Sequence, residues 1–445
     1  MTSARRILRR LLSGVGTLLL AAAPAESSAD PIPVRIEKSA EGFQVHRSGK
    51  PYFIRGAGGG KHLDALIQSG GNSIRTWDAD QAERILDEAH RLGLTVCVGI
   101  WLGHERHGFS YADSAQVAAQ KERARQAVMA NKNHPAVLMW GIGNEMEGDG
   151  RNPAVWKAVD DIAAMIKEID PVHPTMTVVA GAGDEKVRQF VAHCINVDVL
   201  GVNAYGDLGG LVDEMKRQGL DRPYVLTEFG PTGWWQVGKT SWGEEFEPNS
   251  TAKAETYRRA YRDVVMKNKA QCLGSYAFLW GNKQEHTHTW FGMFLPSGER
   301  TPAVDVMTYC WTGRSPRNRC PTIGDLELSA VSSATPSKAG EHVYSPRTKL
   351  TCAIRADDPD GDKLDYAWEV RSASTDKRSG GDPEAAPPVV RVQIAATGSQ
   401  AVISAPEQPG AYRVFVYVRD GQGNASTANV PILIADPKRS DTGGS

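Results

Sequence analysis

Two glutamates, Glu145 and Glu228, each close a short apolar run: Trp140-Gly141-Ile142-Gly143-Asn144-Glu145 and Val225-Leu226-Thr227-Glu228. Two carboxyl groups facing each other across a cleft are what cleavage of a glycosidic bond needs. One protonates the leaving oxygen; the other attacks the anomeric carbon or activates water. A plainer reading makes Glu145 a helix cap and Glu228 a structural ion-pair partner. Glu147 is a rival to Glu145, but it lacks the preceding asparagine.

Whether the pair faces across a cleft depends on the elements that carry it. Near-continuous apolar runs recur at 52–56, 73–77, 95–101, 137–143, 175–179, 199–204, 224–228 and 274–280. Such runs suit parallel strands covered on both faces. Helical patterns lie between them. Ala82, Ile85, Leu86, Ala89 and Leu92 share one face, and Gly93 stops that helix. Val155, Val159, Ile162, Ile166 and Ile169 do the same before Pro171, and the last helix is expected at 302–311. Eight strand–helix repeats over residues 31–315 predict a (β/α)8 TIM barrel, whose active sites lie at the C-terminal strand ends. An open doubly wound sheet would carry a GxGxxG turn after its first strand, and Gly56-Ala57-Gly58-Gly59-Gly60 does not complete one. Glu145 and Glu228 then end strands four and seven, on opposite sides of the ring.

The segment Asn133-His134-Pro135-Ala136-Val137-Leu138-Met139-Trp140-Gly141-Ile142-Gly143-Asn144-Glu145 resembles the acid/base segment of the glycoside hydrolase family 2 barrel. More broadly, residues 51–312 resemble clan A glycosidases, family 5 included. The resemblance implies a retaining β-glycan hydrolase with Glu145 as acid/base and Glu228 as nucleophile. It further implies that Arg75 holds the nucleophile ionised, Asn144 binds the sugar 2-hydroxyl, Tyr205 donates to the nucleophile and Trp280 forms the sugar floor. Trp77, Asp78, Trp101, His104, Trp234 and Trp235 occupy strand-end loops and are expected to line sugar subsites. Asn203 stands where family 5 enzymes carry a histidine. The barrel begins close to the expected mature N-terminus, where family 2 enzymes carry further β domains. Rival functions are a β-glycan transglycosidase using the same residues and a non-catalytic glycan-binding protein.

Residues 322–436 read as short strands separated by turns, among them Asp358-Pro359-Asp360-Gly361 and Gln408-Pro409-Gly410. They predict an all-β sandwich resembling immunoglobulin and polycystic-kidney-disease-type modules. The polar stretch 372–388 is expected to be a mobile loop, 437–445 a disordered tail, and the Asp357–Asp362 turn solvated rather than calcium-bound.

At the N-terminus, Arg5, Arg6, Arg9 and Arg10 precede a broken apolar run of 13 residues, Leu11 to Ala23, and Ala23-Pro24-Ala25 offers a cleavage site. An export signal over 1–25 and a periplasmic or secreted protein are expected. The run falls short of the about 20 residues of a membrane span, so no membrane insertion is expected. With 51 basic against 52 acidic residues, no basic face is expected for a nucleic acid. Neither CxxC nor a His/Cys cluster occurs, so no metal or other cofactor is expected. Cys310 and Cys320 are the best candidates for a disulfide, and Cys97 reads as a small buried hydrophobe. The expected partner is an oligo- or polysaccharide substrate; oligomeric state is left open.

Overall fold

The computed structural model describes residues 30–331 and 341–435. The expected export signal and C-terminal tail lie outside the described residues. The chain opens with a small antiparallel sheet of β1 (Val34–Ser39), β2 (Gly42–Arg47) and β3 (Lys50–Tyr52). Val34 and Val45 of this sheet pack against Ile54, Leu138, Met176, Val199, Val225 and Leu273. These are early residues of the barrel strands, so the sheet plugs the end remote from the strand-end loops.

Eight parallel strands close the barrel: β4 (Ile54–Gly58), β5 (Ser73–Arg75), β6 (Thr95–Ile100), β7 (Val137–Ile142), β8 (Thr175–Ala180), β9 (Val199–Asn203), β10 (Tyr224–Phe229) and β11 (Cys272–Ala277). A helix follows each: α1 (Leu63–Gln68), α2 (Ala82–Arg91), α3 (Ser114–Asn131), α4 (Pro153–Ile169), α5 (Lys186–His193), α6 (Leu211–Arg217), α7 (Ser250–Ala260) and α8 (Pro302–Thr312). The apolar runs form strands because both faces are covered, by the barrel interior and by the helix ring; every residue of β7 is buried. Helix α4 starts where the Asn152 side chain accepts from the Ala154 amide and Pro153 occupies the first turn. Its face of Val155, Val159, Ile162 and Ile166 is buried. Helix α2 ends at Leu92 because Gly93 takes φ +73°, a left-handed conformation in which a side chain is strained.

The second unit is a β sandwich. One sheet orders β13 (Glu327–Ala330), β15 (Lys349–Ala353), β19 (Gln400–Ser404) and β18 (Ile394–Thr397); the other orders β14 (Val343–Tyr344), β21 (Ala425–Ile434), β20 (Gly410–Arg419) and β17 (Asp365–Ser372). A separate pair joins β12 (Thr322–Ile323) to β16 (Ala356–Asp357). Strand β20 explains how the sandwich sits. Its Tyr412, Val414, Val416 and Val418 enter the sandwich core, while Phe415 and Tyr417 pack with Leu295 of the barrel. Buried polar pairs complete the seam: Arg413 with Glu244 at 3.1 Å, Asn429 with Glu247 at 2.7 Å, and His288 Nε2 with the Tyr417 hydroxyl at 2.7 Å. Burial opposes the charge on Glu247, yet Lys253 beside it and the Thr287 hydroxyl hold its carboxyl down to about 2.

Two expectations are corrected. Cys310 and Cys320 are free, as are the other four cysteines. Cys310 packs against the barrel core, whereas Cys320 lies at the domain seam with its amide held by Asp305 and its thiol beside the Arg300 carbonyl. The stretch 372–388 is not a free loop: Lys377, Asp382 and Glu384 pair with barrel residues. Cys97 is buried as expected, its thiol pushed up to about 12 by desolvation.

Candidate active site

Glu228 lies in β10, where the pairing with β9 and with β11 slips at the end of the strand. Such an irregularity re-aims side chains. Here Thr227 donates to the Asn203 side-chain oxygen at 2.8 Å while Glu228 enters the same region. Three donors meet the Glu228 carboxylate. Arg75 Nη1 donates at 2.9 Å and Trp77 Nε1 at 2.7 Å to Oε1, and the Tyr205 hydroxyl donates at 2.6 Å to Oε2. Burial and the Glu228 charge push Tyr205 well above the ordinary phenol range, so its hydroxyl remains a donor.

Glu145 follows β7 across the turn at Gly143. It adopts φ +54°, a left-handed backbone that costs a non-glycine residue about 1–2 kcal/mol. Its amide donates to the Val178 carbonyl at 2.9 Å, which holds the turn against β8. One donor reaches its carboxyl, Asn203 Nδ2 at 2.7 Å. Burial, then the Glu228 charge, push Glu145 up to about 7, despite that hydrogen bond. The two carboxyls thus live in unlike surroundings, one paired with a cation and two further donors, the other with a single amide donor and facing a negative neighbour.

A continuous set of hydrogen bonds ties them together. Asn203 Nδ2 reaches both Glu145 Oε1 and Asn144 Oδ1, the latter at 3.1 Å; Arg75 Nη2 donates to Asn144 Oδ1 at 2.6 Å, and Arg75 Nη1 continues to Glu228. With its oxygen taken twice, Asn144 has its amide nitrogen left for a ligand hydroxyl. Glu147 is held apart by Lys186 at 3.0 Å and by the Ala180 amide at 2.8 Å, and it is buried away from the cleft. Carboxyls of unlike environment, joined by a relay that fixes both, can divide acid and nucleophile roles.

The cleft over this pair has a volume of about 1230 Å³. Trp77, Trp101, Asn144, Tyr205, Trp234 and Trp235 line it beside the glutamates. Trp101 is 44% and Trp235 49% exposed, so both present open aromatic surface of the kind that stacks on sugars. Trp234 is fixed by its indole donating to Glu285 at 3.1 Å and by stacking on His286.

Three expected residues do not line the cleft. Trp280 is fully buried, packed against Phe294 and Trp311, with its indole donating to the His62 carbonyl at 3.1 Å. Strand β11 ends at Ala277, and the next residue, Phe278, takes the place at the cleft. Asp78 is exposed and accepts from the Asp80 amide, a loop-turn role. His104 is buried behind Trp101, with ring centroids 4.9 Å apart; burial and Arg106 lower its pKa to about 4, so it stays neutral. Arg75 reaches Glu228 and Asn144 from beneath the cleft and does not line its surface. Residues not anticipated are Asn203 as the donor to Glu145, Phe278, and the polar group Asn282, Lys283 and Glu285. The departure at Asn203 was the available signal.

Among the described residues, Asp358, Asp362 and Asp420 form the only acidic group with metal-ligand spacing. They belong to the sandwich and not to the cleft. Asp358 and Asp420 accept backbone amides of their own turns, and Asp420 is buried.

Replacing Arg75 with methionine leaves Glu228 and Glu145 in one pocket without a cation. The arginine is 2% and Glu228 7% exposed, so breaking the pair should lower unfolding free energy by about 3–5 kcal/mol. Urea denaturation at pH 7 measures this.

Residues 61–282 match the family model described as glycosyl hydrolases family 2, TIM barrel domain. A putative beta-glucuronidase of Formosa agariphila is 24% identical over 224 residues, 48% of this chain and 19% of that protein. Human beta-glucuronidase is 23% identical over 212 residues, 41% of this chain and 31% of that protein. A beta-galactosidase of Vibrio vulnificus is 28% identical over 190 residues, 38% of this chain and 17% of that protein. The chain therefore spans under a third of the length of these relatives. A family 2 beta-galacturonidase structure from Eisenbergiella tayi superposes with TM-score 0.50 at 17% identity, covering 64% of this chain and 54% of that one; it shares the fold.

Proposed function

Because its barrel belongs to glycosyl hydrolases family 2, we propose that this chain is a retaining hydrolase of β-linked glycans. Glu228 attacks the anomeric carbon as Glu145 delivers its proton to the departing oxygen, and a covalent glycosyl-enzyme forms. Glu145, now ionised, takes a proton from water, whose oxygen displaces Glu228 and keeps the original configuration. The observation that carries the reading is the hydrogen-bonded path from Glu145 through Asn203, Asn144 and Arg75 to Glu228, beneath a cleft walled by tryptophans.

The supports divide the work. Arg75, Trp77 and Tyr205 hold the Glu228 carboxyl by hydrogen bonds and aim it at the cleft. Asn203 orients Glu145 without supplying a charge, so the group stays able to carry a proton. Asn144 offers its amide to the 2-hydroxyl of the sugar, a contact that strengthens as positive charge develops on the ring. Export to the periplasm or the medium belongs to the same proposal and rests on the basic and apolar N-terminal segment; no described helix is long and apolar enough to cross a membrane.

A panel of aryl β-glycosides and β-linked oligosaccharides, read by product mass and by nuclear magnetic resonance of the first-formed anomer, tests the reading. Release of a β-anomer is expected. A first-formed α-anomer, or no cleavage of any panel member, would overturn it.

A further inference from the structure

We infer that the sandwich loop running through Lys377 and Glu384 forms one wall of the cleft and limits the length of glycan accepted there; this rests on the glycosidase reading above. The barrel's own rim is uneven. The loop after β4 is residues 59–62 and that after β5 is 76–81, against 101–113 after β6 and 278–301 after β11. The low stretch of rim thus lies between two tall loops, and the sandwich loop bridges those two.

At the loop after β6, Arg106 donates to the Gly380 carbonyl and to Asp382, both at 3.3 Å, and His107 meets Asp382 at 2.9 Å. At the loop after β11, Lys283 donates to the Gly381 carbonyl at 2.7 Å and the His286 amide to Glu384 at 2.7 Å. Lys377 anchors the near side on Glu244 and Glu245, each at 3.0 Å. Gly380 and Gly381 have φ +64° and +74°. A side chain on Gly380 would start 2.6 Å from the Arg106 guanidinium, a flexible group that can shift, so it is the left-handed backbone that favours glycine there.

Ser379, Gly380, Gly381, Asp382 and Pro383 share the cleft surface with Trp101, Lys283 and Glu285. Among the described residues, these five are the sandwich's whole contribution to that surface. The opposite rim, at Gly181, Gly183, Leu208 and Gly210, is built by the barrel alone. A glycan laid across the glutamates therefore runs into sandwich residues on the side of the first and second barrel strands. The sandwich is part of the binding site rather than a spacer. Its position is rigid because the seam beneath the loop is the buried polar interface of Glu244, Glu247, Arg413 and Asn429.

The test uses the full chain in three forms: native, a variant with residues 378–385 replaced by Gly-Ser-Gly, and Asp382→Ala. The last keeps the loop length and removes its pairs with Arg106 and His107. The probes are the aryl β-glycoside and the matching β-linked di- to hexasaccharides of the sugar that the native protein releases. The reading is kcat/KM for the hexasaccharide relative to the aryl glycoside. Shortening the loop should raise that ratio roughly tenfold, the effect of removing one steric contact in a subsite, and Asp382→Ala should move it the same way by less. Circular dichroism establishes that each variant folds; if the shortened loop does not, Asp382→Ala decides alone. An unchanged or lowered ratio in the folded variants overturns the wall. A native protein that cleaves no probe overturns the glycosidase reading and the wall with it.

Discussion

Glu228→Gln should lower kcat by about 10⁴-fold or more, the scale on which enzymes lose rate when a covalent nucleophile is removed. The substitution is nearly isosteric, and the pocket tolerates it for a stated reason. The glutamine oxygen can keep the Oε1 position and accept from Arg75 and Trp77. Its nitrogen then faces the Tyr205 hydroxyl, which can turn its proton away and accept. Folding and glycan binding should survive, so calorimetric affinity for a product-length oligosaccharide should change less than tenfold while turnover vanishes. A variant that keeps a tenth of native kcat would remove Glu228 from the reaction.

The second large effect is expected at Glu145. With alanine there, no group protonates the leaving oxygen. Glycosides with poor leaving groups should lose on the order of 10²–10⁴ in kcat/KM, whereas activated aryl glycosides lose much less. Azide should restore turnover and appear in the product, because the cavity admits a small anion that needs no general base. The pH profile gives an independent sign. Burial and then the Glu228 charge push Glu145 up to about 7, and its protonated form is the one used in the first step. Native kcat/KM should therefore fall as pH rises through about 7, and Glu145→Ala should lack that alkaline limb. Linkage adds a stability sign. A carboxyl whose folded pKa lies above its unfolded value stabilises the protein at low pH and loses that contribution as pH rises from the unfolded value to the folded one. Glu145→Gln should thus melt higher than the native protein at pH 8 and show little gain at pH 4. A profile that keeps its alkaline limb in Glu145→Ala would place the acid elsewhere.

Much of the arrangement was legible from local pattern. Strand ends fall where apolar runs stop, and a helix such as α4 announces itself by its buried stripe and its Asn152-Pro153 start. Glu145, Asn144, Glu228 and Tyr205 could be placed at the cleft because each lies within three residues of a strand end. Trp280 misled for the same reason. The apolar run continues past Ala277, but the strand stops there, and three residues of loop turn the indole into the helix layer. His104 and Asp78 show that a residue in a strand-end loop has no defined direction until the loop packs.

The sequence by itself determined the alternation of strands and helices, the barrel, the presence of a β sandwich and the two glutamates at opposite strand ends. Those follow from periodicity, which is a property of neighbours along the chain. The family resemblance already placed Arg75 and Tyr205 at Glu228; only the tertiary structure decided that Asn203 meets Glu145 and that Trp77 joins the donors on Glu228. It also decided that β20 buries both faces and that its sandwich lends a loop to the cleft. The physical reason is range. A run of polar, glycine-rich residues reads as free when only its neighbours are considered. It becomes a wall once Arg106, Lys283 and Glu244, distant in the chain, bring their charges to it.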